Sequence, residues 1–219
     1  MKTNGEGKPV VALDIDGTLG DYHANFLKFA DLYFGRVFSN RIGESNPGLR
    51  LWEWMGIPHR DYRDAKLAYR QGGWKRWMPA YPGVSELTAG IQAAGAEVWI
   101  CTTRPYLRLD NVDPDTREWL QRNEIRYDAV LFDPVKDGET KYDELFRQVG
   151  DRVASIVDDL PEMIHAAERA AIPRGGPIPI IRDQPYNRHY GWSRRALNTE
   201  QIWTSVRTDL KSWKADREQ

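Results

Sequence analysis

The chain has a single cysteine, Cys101, among its 219 residues. An intrachain disulfide is therefore excluded, and because Cys101 lies in an apolar run it is predicted to be a small core residue rather than a nucleophile. No apolar run approaches the roughly 18 residues that a membrane-spanning helix requires, and residues 1–9 have no apolar signal-peptide segment. The sequence thus predicts a soluble, cytoplasmic protein with no membrane partner.

Neither sign of charge dominates, since 31 Lys and Arg face 32 Asp and Glu for a net charge of −1. A groove that follows nucleic-acid phosphates needs a clustered excess of basic residues, so nucleic acid is not an expected partner. The insertion described below has a locally basic stretch, which Asp61 and Asp64 interrupt and which therefore predicts a solvated face. Its basic residues are Arg60, Arg63, Lys66, Arg70, Lys75 and Arg76. The oligomeric state is left open, a homodimer included.

Short apolar runs alternate with helical patterns along most of the chain. Strands are predicted at about 9–16, 98–102, 129–132, 153–157 and 178–181. Helices are predicted after Pro82-Gly83, after an Asp113-Pro114 cap, after a Thr140–Asp143 capping box, from Pro161, and at the carboxyl end. This alternation predicts a parallel, three-layer α/β sheet. Pro179 places the last run at an edge of that sheet.

One long segment, residues 21–80, interrupts the alternation. It has no strand-like run, and residues 31–34, 52–55 and 67–69 are typical of short amphipathic helices. A turn is predicted at residues 46–48. We therefore expect an α/β core formed by residues 1–20 and 81–219, with an inserted helical subdomain at 21–80.

Two carboxylates, Asp14 and Asp16, follow the first predicted strand, and Gly17 comes directly after them. In open α/β sheets, ligands bind outside the carboxyl ends of the strands. If the strand geometry continues, Asp14 and Asp16 point the same way, and Gly17 permits the sharp turn that follows. Two carboxylates aimed at one point need a neutralising cation, and Mg²⁺ is typically held by one or two carboxylates with substrate phosphate.

Polar groups also follow two further predicted strands. Thr102 and Thr103 end the second strand, and Asp158 and Asp159 end the fourth. Lys141 begins the helix before that fourth strand. Lys136, in the preceding loop, is an alternative to Lys141, which is favoured because its helix is well marked.

These features resemble, in kind and in order, the haloacid dehalogenase-like (HAD) phosphohydrolase superfamily, whose DxDGT motif matches residues 14–18. Within it, the chain is similar to the 5′(3′)-deoxyribonucleotidase family (5′-nucleotidase type C) and its phage and bacterial relatives. The narrower resemblance is carried by residues 14–21, 82–84, 100–103 and 156–162. Arg104 stands where that family has a proline. The resemblance implies a Rossmann-like core with a small helical cap, here residues 21–80.

Covalent catalysis is the chemistry that the resemblance implies. Asp14 would attack phosphorus and form an aspartyl-phosphate. Asp16 would protonate the leaving oxygen and then activate water. Thr102 would donate to a phosphoryl oxygen, and Lys141 would neutralise charge on the reacting groups.

The same resemblance implies Mg²⁺, held by Asp14, the backbone carbonyl of Asp16, Asp158 and Asp159. Adjacent residues of a strand face opposite sides. We therefore expect one of Asp158 and Asp159 to be a direct ligand and the other to act through water.

Five residues are predicted to contact substrate, namely Thr103, Arg104, Phe26, Trp74 and Trp77. The three aromatic side chains could stack on a base, and packing between helices is the alternative for each of them. The predicted reaction is the Mg²⁺-dependent hydrolysis of (deoxy)nucleoside monophosphates to nucleoside and phosphate. Another small phosphate ester and a polynucleotide 3′-phosphate are alternative substrates. The base, the sugar and the position of the phosphate are left open.

Overall fold

Six parallel strands form one sheet within the residues that the computed structural model describes, which are 7–44, 49–104, 109–132 and 138–218. The strand order is β3-β2-β1-β4-β5-β6. The strands are β1 (Val10–Leu13), β2 (Glu97–Thr102), β3 (Ala129–Phe132), β4 (Val153–Asp158), β5 (Ile180–Arg182) and β6 (Arg195–Ala196). Because β1 lies between β2 and β4, the strand order reverses there, and such a switch point is where open α/β sheets bind ligands.

Helices cover both faces of this sheet. The helices are α1 (Tyr22–Phe34), α2 (Leu51–Met55), α3 (His59–Gln71), α4 (Val84–Ala93), α5 (Val112–Arg122), α6 (Lys141–Val149), α7 (Pro161–Ala171) and α8 (Thr199–Ala215). Val11 and Leu13 of β1 pack with α4, α5 and α8, whereas Val10 and Ala12 pack with α6 and α7. Side chains of β1 alternate between the two faces of the sheet, so each face has its own hydrophobic core. The predicted three-layer α/β class is confirmed.

Local sequence signals account for several helix starts. Thr140 and Asp143 form the predicted capping box of α6, and Pro161 is at the first turn of α7. The prediction that Asp113 caps α5 is wrong, because the helix begins at Val112, after Asn111. The Asp113 carboxylate instead accepts a hydrogen bond from Arg117, four residues further along the same helix.

The predicted edge position of the last strand is wrong. β5 begins at Ile180, after Pro179, so the proline does not interrupt its ladder of hydrogen bonds. The strand pairs with β4 on one side and with β6 on the other. β6 has two residues, which is too short to show an alternating pattern in the sequence.

The described part of the inserted segment between β1 and α4 contains helices α1 to α3 and has a hydrophobic cluster of its own. That cluster contains Phe26, Leu27, Phe29, Ala30, Phe38, Trp54, Met55, Ile57, Tyr62, Ala65 and Tyr69. The turn predicted at 46–48 lies outside the described residues. Among the described helices, none has the length and apolar character needed to cross a membrane.

Trp119 of α5 joins the sheet domain to the end of the insertion. Its side chain is fully buried, and its indole N–H donates to the carbonyl of Met78 at 2.6 Å. Trp119→Phe leaves that carbonyl buried without a partner, which we expect to lower the free energy of unfolding by about 1–3 kcal/mol. Urea denaturation monitored by circular dichroism measures this loss.

Trp213→Phe is the matched control, because the Trp213 indole donates to the carbonyl of Asp151 at 3.0 Å in an exposed position. Water can replace that donor, so the expected loss is small. Equal losses in the two variants would contradict the role given to the Trp119–Met78 bond.

Candidate active site

Asp14 leaves β1 at the switch point and is almost fully buried, with 4% of its surface exposed. Its backbone N–H donates to the carbonyl of Val157 at 3.0 Å, which continues the pairing of β1 with β4 for one residue. The ammonium of Lys141 lies 2.5 Å from Asp14 Oδ1 and 2.7 Å from Asp158 Oδ2. It also donates to the carbonyl of Cys101 at 3.0 Å. Lys141 therefore bridges the ends of β1, β2 and β4, and the rival Lys136 lies outside the described residues.

Three buried carboxylates meet at this point. Asp14, Asp158 and Asp159 each offer an oxygen, and these oxygens lie within 4.8 Å of one another. The sequence predicts that the side chains of Asp158 and Asp159 face opposite sides of the sheet. However, β4 ends at Asp158 and the chain turns before α7, so strand alternation does not extend to Asp159. The structure therefore brings both carboxylates together with Asp14.

Each member of the acidic pair has its own hydrogen-bond partners. Asp158 accepts from the hydroxyl of Tyr142 at 2.6 Å and from the backbone N–H of Leu160 at 2.9 Å. Asp159 accepts from the hydroxyl of Tyr186 and, at 3.4 Å, from that of Thr18. Asp158, which also contacts Lys141, is thus the more fully engaged of the two.

The charge of the cluster is not balanced by the protein alone, because three carboxylates face one ammonium. Burial raises the pKa of Asp14 to about 7 against the opposing charge of Lys141, and Asp158 and Asp16 add to the rise. Burial, followed by the charges of Asp158 and Asp14, raises the pKa of Asp159 well above its usual range. Burial works against charged Lys141, yet Asp14 and Asp158 keep its pKa raised. Buried oxygen donors with excess negative charge fit a hard divalent cation.

Gly17 lets the loop after β1 pass close to this cluster. Its φ is +95°, and a Cβ there would lie 2.3 Å from Asp159 Oδ2 and 2.6 Å from the Tyr186 hydroxyl. The side-chain amide of Gln184 donates to the Gly17 carbonyl at 2.5 Å, and that of Asn187 donates to the Asp159 carbonyl at 2.7 Å. The turn predicted at Gly17 is confirmed, and only glycine fits this approach.

The sequence did not point to Tyr186 or Gln184. Both lie in the loop between β5 and β6, whereas their partners, Asp159 for Tyr186 and Gly17 for Gln184, are remote in sequence. A hydroxyl or an amide in a loop carries no local signal of so distant a partner.

Asp16 does not join the three clustered carboxylates, because β1 ends at Leu13 and strand alternation does not extend to residue 16. Arg104 donates to Asp16 Oδ1 at 2.7 Å through Nη2 and to Oδ2 at 3.3 Å through Nε. The ammonium of Lys75 contacts Oδ2 from the other side. Burial alone would raise the pKa of Asp16, but Arg104 and Lys75 hold it well below its usual range.

Lys75 comes from the insertion, in a short 3-10 helix at Trp74–Trp77, and only 4% of it is exposed. Its ammonium lies 4.5 Å from the ring centre of Tyr22 and 5.9 Å from that of Tyr69. The solvated face predicted for the basic stretch is therefore wrong for this residue. A charged run does not reveal which of its members a 3-10 turn directs inward.

The remaining predicted residues are dispersed. Thr102 is buried at the end of β2, and its hydroxyl accepts from the Arg104 N–H at 3.4 Å, whereas Thr103 is exposed. Phe26 is fully buried among the rings of the insertion. Trp74 packs on Phe29 and Tyr69, and Trp77 is 62% exposed, with the guanidinium of Arg122 3.7 Å from its ring centre. Packing accounts for Phe26, and a substrate contact by Trp74 or Trp77 stays a prediction.

Solved structures with the same architecture are numerous. A predicted phosphatase from Clostridium acetobutylicum is 14% identical, with a TM-score of 0.60 over 92% of this chain and 99% of that chain. A haloacid dehalogenase-like family protein from Streptococcus pneumoniae is 12% identical, with a TM-score of 0.61 over 90% and 98%. A HAD-superfamily hydrolase from Geobacter sulfurreducens is 17% identical, with a TM-score of 0.56 over 91% and 100%. This chain has the haloacid dehalogenase-like fold. The fold inferred from the motif at residues 14–18 is thereby confirmed.

Similarity at the level of sequence is much weaker than this similarity of fold. A protein of Oceanobacillus iheyensis named "putative nucleotidase" is 30% identical over 112 residues. The match covers 51% of this chain and 53% of that protein, so the chain spans about half the length of this curated relative. No protein-family model matches the sequence.

The charge imbalance of this HAD-like site has a consequence for stability. In protein freed of divalent metal, the pKa of Asp14, about 7, lies above the ordinary value of 3.8 that the unfolded chain retains. The folded state therefore holds a proton that the unfolded state has released, so the free energy of unfolding falls as pH rises through that interval. Urea denaturation in EDTA at several pH values measures the slope.

Asp14→Asn removes one of the two carboxyl groups with a raised pKa and should therefore reduce this slope. The same substitution at Asp113, which lies half-buried on α5 outside the carboxylate cluster, is the control and should leave the slope unchanged. Stability that rises with pH in the metal-free protein, or equal slopes in the wild type and Asp14→Asn, would contradict the charge assignment.

Proposed function

We propose that this protein is a Mg²⁺-dependent phosphatase that hydrolyses (deoxy)nucleoside monophosphates to nucleoside and phosphate. The observation that carries the proposal is the buried Lys141 ammonium between Asp14 and Asp158, at the switch point of a HAD-like sheet. A lysine in contact with a buried carboxylate at that point suits an attack on an anionic phosphate, because its charge offsets the repulsion between the two anions.

In the first step, an oxygen of Asp14 attacks phosphorus, and the bond from phosphorus to the leaving oxygen breaks. Lys141 keeps Asp14 oriented and offsets negative charge on the phosphoryl group. Thr102, buried at the end of β2, would donate its hydroxyl to a phosphoryl oxygen. The proton that the leaving oxygen takes up comes from Asp16, which must first be protonated.

In the second step, water attacks the phosphorus of the aspartyl-phosphate, and the Asp14 oxygen leaves. Asp16 accepts the proton of that water. Arg104 and Lys75 favour the ionised form of Asp16, and this is the form that can accept a proton. Phosphate then leaves, and Asp14 is a free carboxylate again.

Asp14, Asp158 and Asp159, with the backbone carbonyl of Asp16, are the proposed ligands of Mg²⁺. A bound Mg²⁺ would neutralise the excess charge of the three carboxylates and polarise the phosphate. The oxygen donors, their burial and the raised pKa values of Asp14 and Asp159 support this assignment.

The nucleoside part of the proposal rests on two observations. One is the partial match to the Oceanobacillus iheyensis protein, whose name describes a nucleotidase. The other is the insertion at 21–80, which places aromatic rings and Lys75 beside Asp16 and would act as a cap over the leaving group. Thr103 and Arg104 are proposed to contact the substrate beside the phosphate.

Phosphate release from a panel of ribo- and deoxyribonucleoside monophosphates, 5′ and 3′, tests this function. We expect turnover that requires Mg²⁺, is lost in EDTA, and exceeds that of sugar phosphates. Asp14→Asn should reduce kcat by about a thousandfold or more, the scale on which removal of a nucleophile acts. Asp113→Asn is again the control.

Two results would contradict the proposal in different ways. Full activity of Asp14→Asn would exclude Asp14 as the nucleophile. Turnover of sugar phosphates alone would keep the reaction but exclude the nucleoside substrate.

A further inference from the structure

Positive charge is concentrated on the side of the site where Asp16 lies. The side chains responsible are Lys66, Arg70, Lys75 and Arg104. Three of them come from the insertion and one follows β2. Arg104 and Lys75 contact a single carboxylate, that of Asp16, and its charge also acts on Lys66. Asp16 is distinct from the cluster formed by Asp14, Asp158 and Asp159.

Two of these cations are held in place. Arg104 is 2% exposed, and its guanidinium is fixed by Asp16 and, at 3.0 Å, by the hydroxyl of Thr116. Lys75 is buried against the rings of Tyr22 and Tyr69 while its ammonium contacts Asp16. One carboxylate already faces two cations, so further cations nearby are in excess.

The other two cations, Lys66 and Arg70, lie one turn apart on α3, and both are half-buried. The Lys66 ammonium lies 5.3 Å from the ring centre of Tyr62. Among the described residues, no carboxylate forms an ion pair with Lys66 or Arg70. Burial and the charge of Arg70 lower the pKa of Lys66 to about 8, and Asp16 opposes that shift. The same crowding acts on Lys75, whose pKa burial lowers to about 7, with Arg104 and Arg70 adding to the effect.

Arg104 and Lys75 already contact the single carboxylate of Asp16, so the positive charges of Lys66 and Arg70 have no carboxylate partner among the described residues. Partly desolvated cations without partners are costly, and an anion that enters between them recovers that cost. The scissile phosphate is not this anion under the proposed function, since it binds beside Asp14, Thr102 and Lys141. Asp16 delivers its proton to the leaving oxygen, so the cations face the leaving group.

We propose that Lys66, Arg70, Lys75 and Arg104 form a subsite for a second phosphate on the leaving group, so that nucleoside bisphosphates are preferred over monophosphates. This inference rests on the proposed function and extends it. Asp14 takes one phosphoryl group from the nucleoside and water then releases it as phosphate, as in the proposed reaction. The second phosphate stays bound to its sugar in the subsite. Arg104 and Lys75 would then contact both the carboxylate of Asp16 and the second phosphate of the substrate.

The test compares substrates that differ only in the second phosphate. One set is thymidine 5′-monophosphate, thymidine 3′-monophosphate and thymidine 3′,5′-bisphosphate, and the other is fructose 6-phosphate and fructose 1,6-bisphosphate. In the set that is turned over, we expect kcat/KM for the bisphosphate to exceed that for the monophosphates by about tenfold or more, the scale of one charge-assisted contact. The preference should decrease as salt concentration rises, since screening weakens it.

Lys66→Gln should reduce the ratio of bisphosphate to monophosphate kcat/KM by about tenfold. Arg63→Gln is the matched control, because Arg63 is on the same helix but exposed, and it should leave the ratio unchanged. A second readout does not depend on turnover: Asp14→Asn protein with Mg²⁺ is titrated with the same thymidine compounds in a calorimeter. Tighter binding of the bisphosphate, weakened by adding Lys66→Gln, supports the subsite.

Equal kcat/KM values for mono- and bisphosphates, with no effect of Lys66→Gln, would overturn the inference and leave the phosphatase function intact. Preference for fructose 1,6-bisphosphate with no nucleotide turnover would instead refute the nucleoside substrate and keep the subsite. A still faster reaction with a 3′-phosphorylated oligonucleotide would overturn the assignment to a small bisphosphate. Absence of turnover with all compounds would refute the proposed function, and the calorimetric comparison would then decide the subsite separately.

Discussion

The ion pair of the Lys141 ammonium with Asp14 and Asp158 is the contact on which the arrangement of the site depends. Burying three carboxylates together is unfavourable unless nearby positive charge compensates them. Lys141 supplies that charge from the first residue of α6, whose start is fixed by the capping box of Thr140 and Asp143. The neighbouring positions of β1 and β4 bring Asp14 and Asp158 to the same end of the sheet. Compensation is nevertheless incomplete, which makes the site receptive to a divalent cation.

A second set of charges connects the sheet domain to the insertion. Lys75 reaches Asp16 from the insertion, and Arg104 reaches it from the end of β2. Trp119 of α5 adds a separate link through its bond to the Met78 carbonyl. The Trp119 link is buried and the Asp16 link is partly buried, so the position of the insertion and the surroundings of Asp16 are coupled. Under the proposed function, substrate recognition and the protonation state of Asp16 would therefore depend on the same few side chains.

Much of the fold was predictable because its signals are local. Uninterrupted apolar runs marked β1, β3 and β4, and helical spacing with Pro161 or with the Thr140 capping box marked the helices between them. The prediction failed where the signal was short or ambiguous. β6 has two residues and no pattern of its own, so β5 was placed at the edge. The sequence predicts Asp113 as the cap of α5, but the helix begins at Val112, because several polar residues near a helix start can serve as its cap.

The candidate site, like the fold, was predictable only where its signals are local in sequence. The sequence by itself determined the order of the chemical groups along the chain: Asp14 after β1, Thr102 at the end of β2, Lys141 at the start of α6, and Asp158 with Asp159 at the end of β4. The carboxyl ends of parallel strands lie at the same edge of the sheet, so side chains at these ends lie close together irrespective of the conformation of the loops. Only the tertiary structure decided that Asp16 pairs with Arg104 and Lys75, and that Tyr186 supports Asp159. Those partners are far apart in sequence, and the direction of each side chain is set by packing rather than by the pattern of neighbouring residues.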